Sequence, residues 1–211
     1  MRVPYPNERP GKIIGVGRNY KAHAAELNND LPTEPLLFFK PATAIIGNGE
    51  PIVRPRGDWR VDFEGELAFV IGKKCRRVSR ADAMEVVAGY TIVNDVSVRD
   101  LQKRDGQFTR AKGFDTFCPC GPELVSGLDP TTLRIVTRVD GVVKQDAPTS
   151  DMIFDIPTII EVASRVMTLE PGDLISTGTP AGVCPIFPGN VIEITIEGIG
   201  TLSNPVVEES E

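Results

Sequence analysis

Apolar residues fall in short runs along the chain, cut by 20 glycines and 18 prolines. Runs rich in Val, Ile and Phe with such boundaries predict strands. On this pattern strands cover residues 12–16, 36–39, 63–71, 90–94, 133–139, 174–176 and 191–196. Asp140-Gly141, between 133–139 and 142–145, is the two-residue signal for a type I′ hairpin. Helical spacing is confined to three stretches. Pro157, acceptable in a first turn, is followed by Ile159, Ile160, Ala163, Val166 and Met167 on one face. Ser79 with Asp82 predicts a capped helix running through Met84 and Val87 to a stop at Gly89. A third, shorter helix fits 20–27, with Asn19 as its cap. The pattern is α+β, with more strand than helix, and no repeat or linker divides it. The 211 residues therefore read as one domain, with 1–11 as an N-terminal extension.

Composition narrows the function classes. With 41% hydrophobic and 25% charged residues the chain has a globular rather than disordered make-up. No run approaches the roughly 18 apolar residues of a membrane span. The start, MRVPYPNERPGK, has no apolar signal core, so the expected location is the cytoplasm. Net charge is -6 and the basic residues are dispersed, which leaves no footprint for nucleic acid. Cys75, Cys118, Cys120 and Cys184 include no C-x-x-C and read as reduced packing thiols. His23 is the only histidine, so zinc and iron motifs that need two imidazoles are excluded within one chain. Any metal here is expected to be held by oxygen.

Within VDFEGELAFVIG, the period of two puts Glu64 and Glu66 on one face, with Phe63 and Leu67 on the other. One reading is a solvated strand face. The other is a ligand pair, joined by Asp95 at the end of the run YTIVN. Three carboxylates form a hard-oxygen set suited to Mg²⁺ or Mn²⁺. His23 and Glu26 lie three apart on the short helix, where they form either a surface pair or a histidine general base oriented by its carboxylate. GVGRNY has Tyr20 where a dinucleotide fingerprint needs its third glycine, which excludes that site. TGTPAG, 177–182, lacks the ending of a phosphate loop. It is either a plain turn or a source of backbone donors to an anion.

Taken in order, GRNYKAHAAEL, LLFFKPATAIIG, DFEGELAFVIGK, GYTIVNDVSVRDLQ, AKGFDTFCPCGP, MIFDIPTII and LEPGDLISTGTPAGV resemble the fumarylacetoacetate hydrolase family over nearly the whole chain. The resemblance implies a mixed β-sheet rolled into a sandwich with short flanking helices, assembled as a homodimer. It implies Mg²⁺ or Mn²⁺ on Glu64, Glu66 and Asp95, and a water-activating dyad of His23 and Glu26. Lys112, Arg99 and Gln102 match family residues that hold substrate oxygens. Thr179, and Arg18 toward a carboxylate, match further contacts. Many relatives carry a histidine just before the first metal glutamate, where this chain has Asp62 and Phe63. The implied substrate is a small anionic 2-oxo acid, with no nucleic acid or membrane partner. The leading expectation is hydrolysis of acylpyruvates to pyruvate and a carboxylate. Oxaloacetate decarboxylation or tautomerisation, isomerisation of 2-hydroxyhepta-2,4-diene-1,7-dioate, and a non-catalytic metal-binding domain are the alternatives. Residues 28–31, with Thr33 and Glu34, are read as a lid over the dyad.

Overall fold

The computed structural model describes residues 1–26 and 30–210. Two mixed, open sheets carry the fold. The first has the spatial order Arg2–Pro4, Cys118–Val125, Val87–Asn94, Gly65–Ile71, Leu174–Ser176, Ile13–Gly17, Leu36–Lys40, with Ile45–Ile46 added beside Cys118–Val125. The second has the order Val142–Pro148, Arg134–Val139, Val191–Ile196, Gly200–Glu208, Ile52–Arg54. A two-stranded ribbon pairs Val61–Asp62 with Ser97–Val98.

The core follows from strand alternation. Leu67, Phe69 and Ile71 join Ile135, Ile192, Ile194 and Leu202 of the second sheet in one buried cluster. Ala68 and Val70, pointing the other way, join Ile13, Val93, Cys118 and Cys120 in a second. Both faces of Gly65–Ile71 are therefore covered, and all seven residues are buried. The expected strands form, Leu174–Ser176 and Val191–Ile196 with the expected bounds and the others with ends moved by one to three residues. Asp140 and Gly141 take φ of 50° and 78°, as the type I′ hairpin requires. Arg2–Pro4, inside the expected extension, is an edge strand of the first sheet.

Three expectations about helices need correction. The helix after Ser79 is only a 3₁₀ turn, Ala83–Val86. Ser79 Oγ does reach Asp82, at 2.6 Å, but Val87–Asn94 becomes a strand because its Val, Tyr and Ile residues pair along Gly65–Ile71. Gly89 then sits within that strand, where a Cβ would lie 2.9 Å from the Val125 carbonyl oxygen. Asn19 does not cap α1 (Lys21–Glu26); its amide donates to the carbonyls of Phe154 and Thr177 at 2.9 and 2.8 Å and accepts from Phe154 N–H at 2.7 Å. The helix α4 (Ile156–Val166) forms as expected, but Val166 is 65% exposed and lies off its buried face. α2 (Arg99–Asp105) and α3 (Thr109–Lys112) complete the helices among the described residues. Residues 27–29, which carry the end of the expected first helix and part of the expected lid, lie outside the described residues.

Candidate active site

The antiparallel register sets Gly65 opposite Asn94 and Glu66 opposite Val93, which brings Glu64 beside Asp95. Asp95 N–H donates to the Glu64 carbonyl at 2.9 Å, and Glu64 N–H donates to Asn94 Oδ1 at 3.0 Å. One carboxylate oxygen from each of Glu64, Glu66 and Asp95 lies within 4.8 Å of the other two, and all three residues are buried. The solvated-face reading of the two glutamates fails. Gly65 between them has no room for a side chain, because a Cβ would fall 2.3 Å from Thr137 Oγ1.

Cations answer this cluster. Lys112 Nζ, at the end of α3, lies 2.5 Å from Asp95 Oδ2, 2.9 Å from Glu64 Oε2 and 2.8 Å from Ser97 Oγ. Lys40 Nζ lies 2.6 Å from Asp95 Oδ1. Arg99 Nη2 lies 2.6 Å from Glu64 Oε1, while its Nε donates to Asp62 at 2.9 Å and its Nη1 to Gln102 Oε1 at 2.9 Å. Burial works against charge on Glu64, yet Lys112, Arg99 and His23 outweigh it and hold the carboxyl well below its usual range. Burial, reinforced by Asp95 and Glu64, pushes Glu66 well above that range. Glu66 Oε2 accepts from Ser176 Oγ and from Gly178 N–H. Its other oxygen accepts no hydrogen bond from the described residues.

His23 Nδ1 lies 3.2 Å from Glu26 Oε2, and Glu26 Oε1 accepts from Gly182 N–H at 3.0 Å. The histidine is buried and the glutamate partly exposed. TGTPAG thus does supply backbone donors to anions, and the anions are the protein's own Glu66 and Glu26. Gly178 is needed at φ 94°, with Asn19 and Val16 too close for a Cβ. Thr179 Oγ1 donates to Gly65 O at 2.9 Å and accepts from Gln145 Nε2 at 2.7 Å, so its donor is already committed within the protein.

All ten residues singled out in the sequence line one cavity of about 520 Å³: Arg18, His23, Glu26, Glu64, Glu66, Asp95, Arg99, Gln102, Lys112 and Thr179. Arg18 sits there in the left-handed region, φ 57°. Sequence reasoning missed Phe38, Phe108, Arg60 and Lys103 on the cavity wall, and Lys40 and Asp62 behind it. Phe38 and Phe108 meet edge to face, with centroids 5.5 Å apart, and Lys112 Nζ stands 4.9 Å from the Phe38 ring centre. Gly15 of GVGRNY exists for this wall: a Cβ there would lie 2.1 Å from Phe38. Asp62 was signalled by the same alternation that revealed Glu64 and Glu66. Lys40 had no signal beyond closing an apolar run.

A water-accessible cavity that gathers a buried acidic triad, a histidine held by a carboxylate and several cations has the make-up of an enzyme site. The profile of the fumarylacetoacetate (FAA) hydrolase C-terminal family matches residues 12–207, and the chain belongs to that family. Among its relatives, the 2-hydroxyhepta-2,4-diene-1,7-dioate isomerase from Mycobacterium marinum is 54% identical, with a TM-score of 0.90 over 96% of this chain and 77% of that one. Oxaloacetate tautomerase YisK of Bacillus subtilis is 47% identical over 221 residues, 98% of this chain and 73% of the relative. Maleylpyruvate hydrolase from Sphingobium sp. SYK-6, solved with manganese (II) ion and pyruvate, is 40% identical, with a TM-score of 0.84 over 96% of this chain and 72% of that one. The relatives are enzymes of differing reaction type. No helix among the described residues is long and apolar enough to cross a membrane.

Proposed function

We propose that this chain is a divalent-metal-dependent enzyme that acts on small 2-oxo acids, and that it cleaves the C3–C4 bond of acylpyruvates. The observation that carries the reading is the presence of the His23–Glu26 pair and the acidic triad in one cavity. The donor set fits Mg²⁺ or Mn²⁺: three buried carboxylates within 4.8 Å, and no imidazole or thiolate among them. Glu64, Glu66 and Asp95 would hold the ion, which supplies Lewis-acid polarisation of the 2-oxo group when bound. The manganese and pyruvate of the Sphingobium hydrolase support the same pairing of metal and product here.

The chain's own residues do the rest. Glu26 holds the His23 ring through Nδ1, leaving Nε2 as the base that takes a proton from water. The water oxygen adds to C4, and Lys112 supplies positive charge to the oxyanion. The C3–C4 bond then breaks with its electron pair passing to the pyruvate fragment, C3 is protonated, and pyruvate and a carboxylate leave. Arg18 and Gln102 orient substrate oxygens, and Arg99 keeps a buried positive charge beside them. A buried side chain such as Thr179 bounds the pocket. The chain acts in the cytoplasm as a homodimer in this reading.

A second reading, oxaloacetate tautomerisation, is favoured by the 47% identity to the Bacillus tautomerase. It needs a base at C3–H but no attacking water. Acetylpyruvate and oxaloacetate offered separately with Mn²⁺ distinguish the two. The hydrolase reading predicts pyruvate and acetate from acetylpyruvate, with turnover falling about 10²- to 10⁴-fold in His23→Ala. Conversion of the oxaloacetate enol without pyruvate release, and no loss of acetylpyruvate, supports the tautomerase instead.

A further inference from the structure

Every carboxylate oxygen of Glu64 and Asp95 already faces a protein cation. Glu64 has Arg99 at 2.6 Å on Oε1 and Lys112 at 2.9 Å on Oε2. Asp95 has Lys40 at 2.6 Å on Oδ1 and Lys112 at 2.5 Å on Oδ2. The three cations are each 5% exposed or less, as are the three acids. Asp62, the remaining buried acid nearby, is answered from outside by the half-exposed Arg60 as well as by Arg99. With Glu66 ionised, as a ligand to a cation is, the three charges of the triad are matched by those of Lys40, Lys112 and Arg99 alone. Uncompensated charge at such depth is costly. A divalent cation entering this balanced site leaves an excess of two positive charges, and a ligand carrying two negative charges cancels it.

We propose that Lys40 and Lys112 serve as internal counterions of the triad, so that a divalent cation binds the bare protein weakly and binds tightly only together with a dianionic ligand. This rests on the metal-site reading above and assigns Lys40 a role in it. The coupling is reciprocal: a dianion that tightens the cation is itself tightened by it to the same degree. Lys40 is the informative position, because it touches Asp95 from behind the cavity and does not line it. Two roles for it predict opposite signs. If Lys40 only orients Asp95, its loss loosens the cation, by about 10- to 100-fold for a residue behind a metal ligand. If it is a counterion, its loss removes repulsion and tightens the cation.

The test is Mn²⁺ binding, followed by electron paramagnetic resonance of free Mn²⁺, with and without oxalate as an unreactive dianion, and corrected for the Mn²⁺–oxalate complex in solution. In the wild-type protein, oxalate should tighten Mn²⁺ by at least about tenfold, as expected for opposite charges meeting in a poorly screened site. In Lys40→Met the bare protein should bind Mn²⁺ more tightly than wild type and respond less to oxalate, whereas Lys40→Arg should behave like wild type. Weaker Mn²⁺ binding by Lys40→Met with an unchanged response to oxalate overturns the counterion role and leaves the metal site standing. Absence of any oxalate effect in the wild type overturns it without recourse to a variant, which covers a Lys40→Met protein that does not fold. If Mn²⁺ binds to neither protein under either condition, the metal reading itself falls.

Discussion

Asp62 has no exposed surface and meets two guanidiniums, Arg60 at 3.0 Å and Arg99 at 2.9 Å. Through Arg99 it fixes the charge that sits against Glu64. Replacement by Asn keeps the shape and removes the charge, so Asp62→Asn should fold and, if the proposed function holds, lose about 10- to 100-fold in kcat/KM, measured on acetylpyruvate and on oxaloacetate. At Gly65 the effect is steric, with Thr137 Oγ1 2.3 Å and Gln145 Oε1 2.9 Å from any added Cβ. Gly65→Ala should cost about 1–3 kcal/mol of stability, read as a lowered midpoint in urea. At this scale the sequence was informative where chemistry and periodicity coincide. Glu64 and Glu66 announce themselves by alternation, and Asp62 continues it. Lys40 does not, because its partner Asp95 is 55 residues away and only the fold brings the two together. The identity of Thr179 was legible, but its commitment to Gly65 O and Gln145 was not.

The elements were legible where local preference and tertiary pairing agree. The strands around the triad and α4 are of this kind. The expected helix after Ser79 is not: its cap pair forms, but the residues that follow gain more by pairing as a central strand. The cap that does begin a helix is Asp155, which accepts from Thr158 N–H at 3.0 Å and Thr158 Oγ1 at 2.7 Å and pairs with Arg80. Burial works against its charge, but Thr158 and Arg80 prevail and hold the carboxyl below its usual range. A depressed carboxylate stabilises the fold above its unfolded pKa, near about 4, and that contribution is lost as pH falls through the folded value. Asp155→Ala should therefore cost about 1 kcal/mol at pH 7. The gap between wild type and variant in urea unfolding should narrow as the solution is acidified, and a gap that is constant with pH would show that Asp155 acts without its charge.

For the molecule as a whole, the first sheet buries one thiol pair on its face away from the second sheet, and the other pair lies nearer the surface. Burial pushes Cys118 up to about 12 and Cys120 well above the ordinary thiol range, while Cys75 and Cys184 are half-buried. A thiol reagent at pH 8 should titrate no more than two cysteines in the native protein and all four in denaturant, with no disulfide to reduce first. The first sheet also does the work of assembling the cavity. It aligns Glu64, Glu66 and Asp95 on one face, sets Phe38 and Lys40 on the strand at its far edge, and leaves α1 to bring His23 into the same cavity. Sequence spacing could group residues within a strand or helix, and family resemblance grouped the blocks. The charge balance of the assembled site was not legible, since it depends on cations arriving from separate segments.

The central claim, that a divalent cation on Glu64, Glu66 and Asp95 drives turnover of a 2-oxo acid, is tested most directly by stripping the purified protein with a chelator and titrating Mn²⁺ back while following acetylpyruvate and oxaloacetate. The account predicts that turnover vanishes on stripping, returns with Mn²⁺, and fails to return at the same Mn²⁺ concentration in Glu66→Gln. Full turnover by the stripped protein, or full recovery in Glu66→Gln, would contradict it.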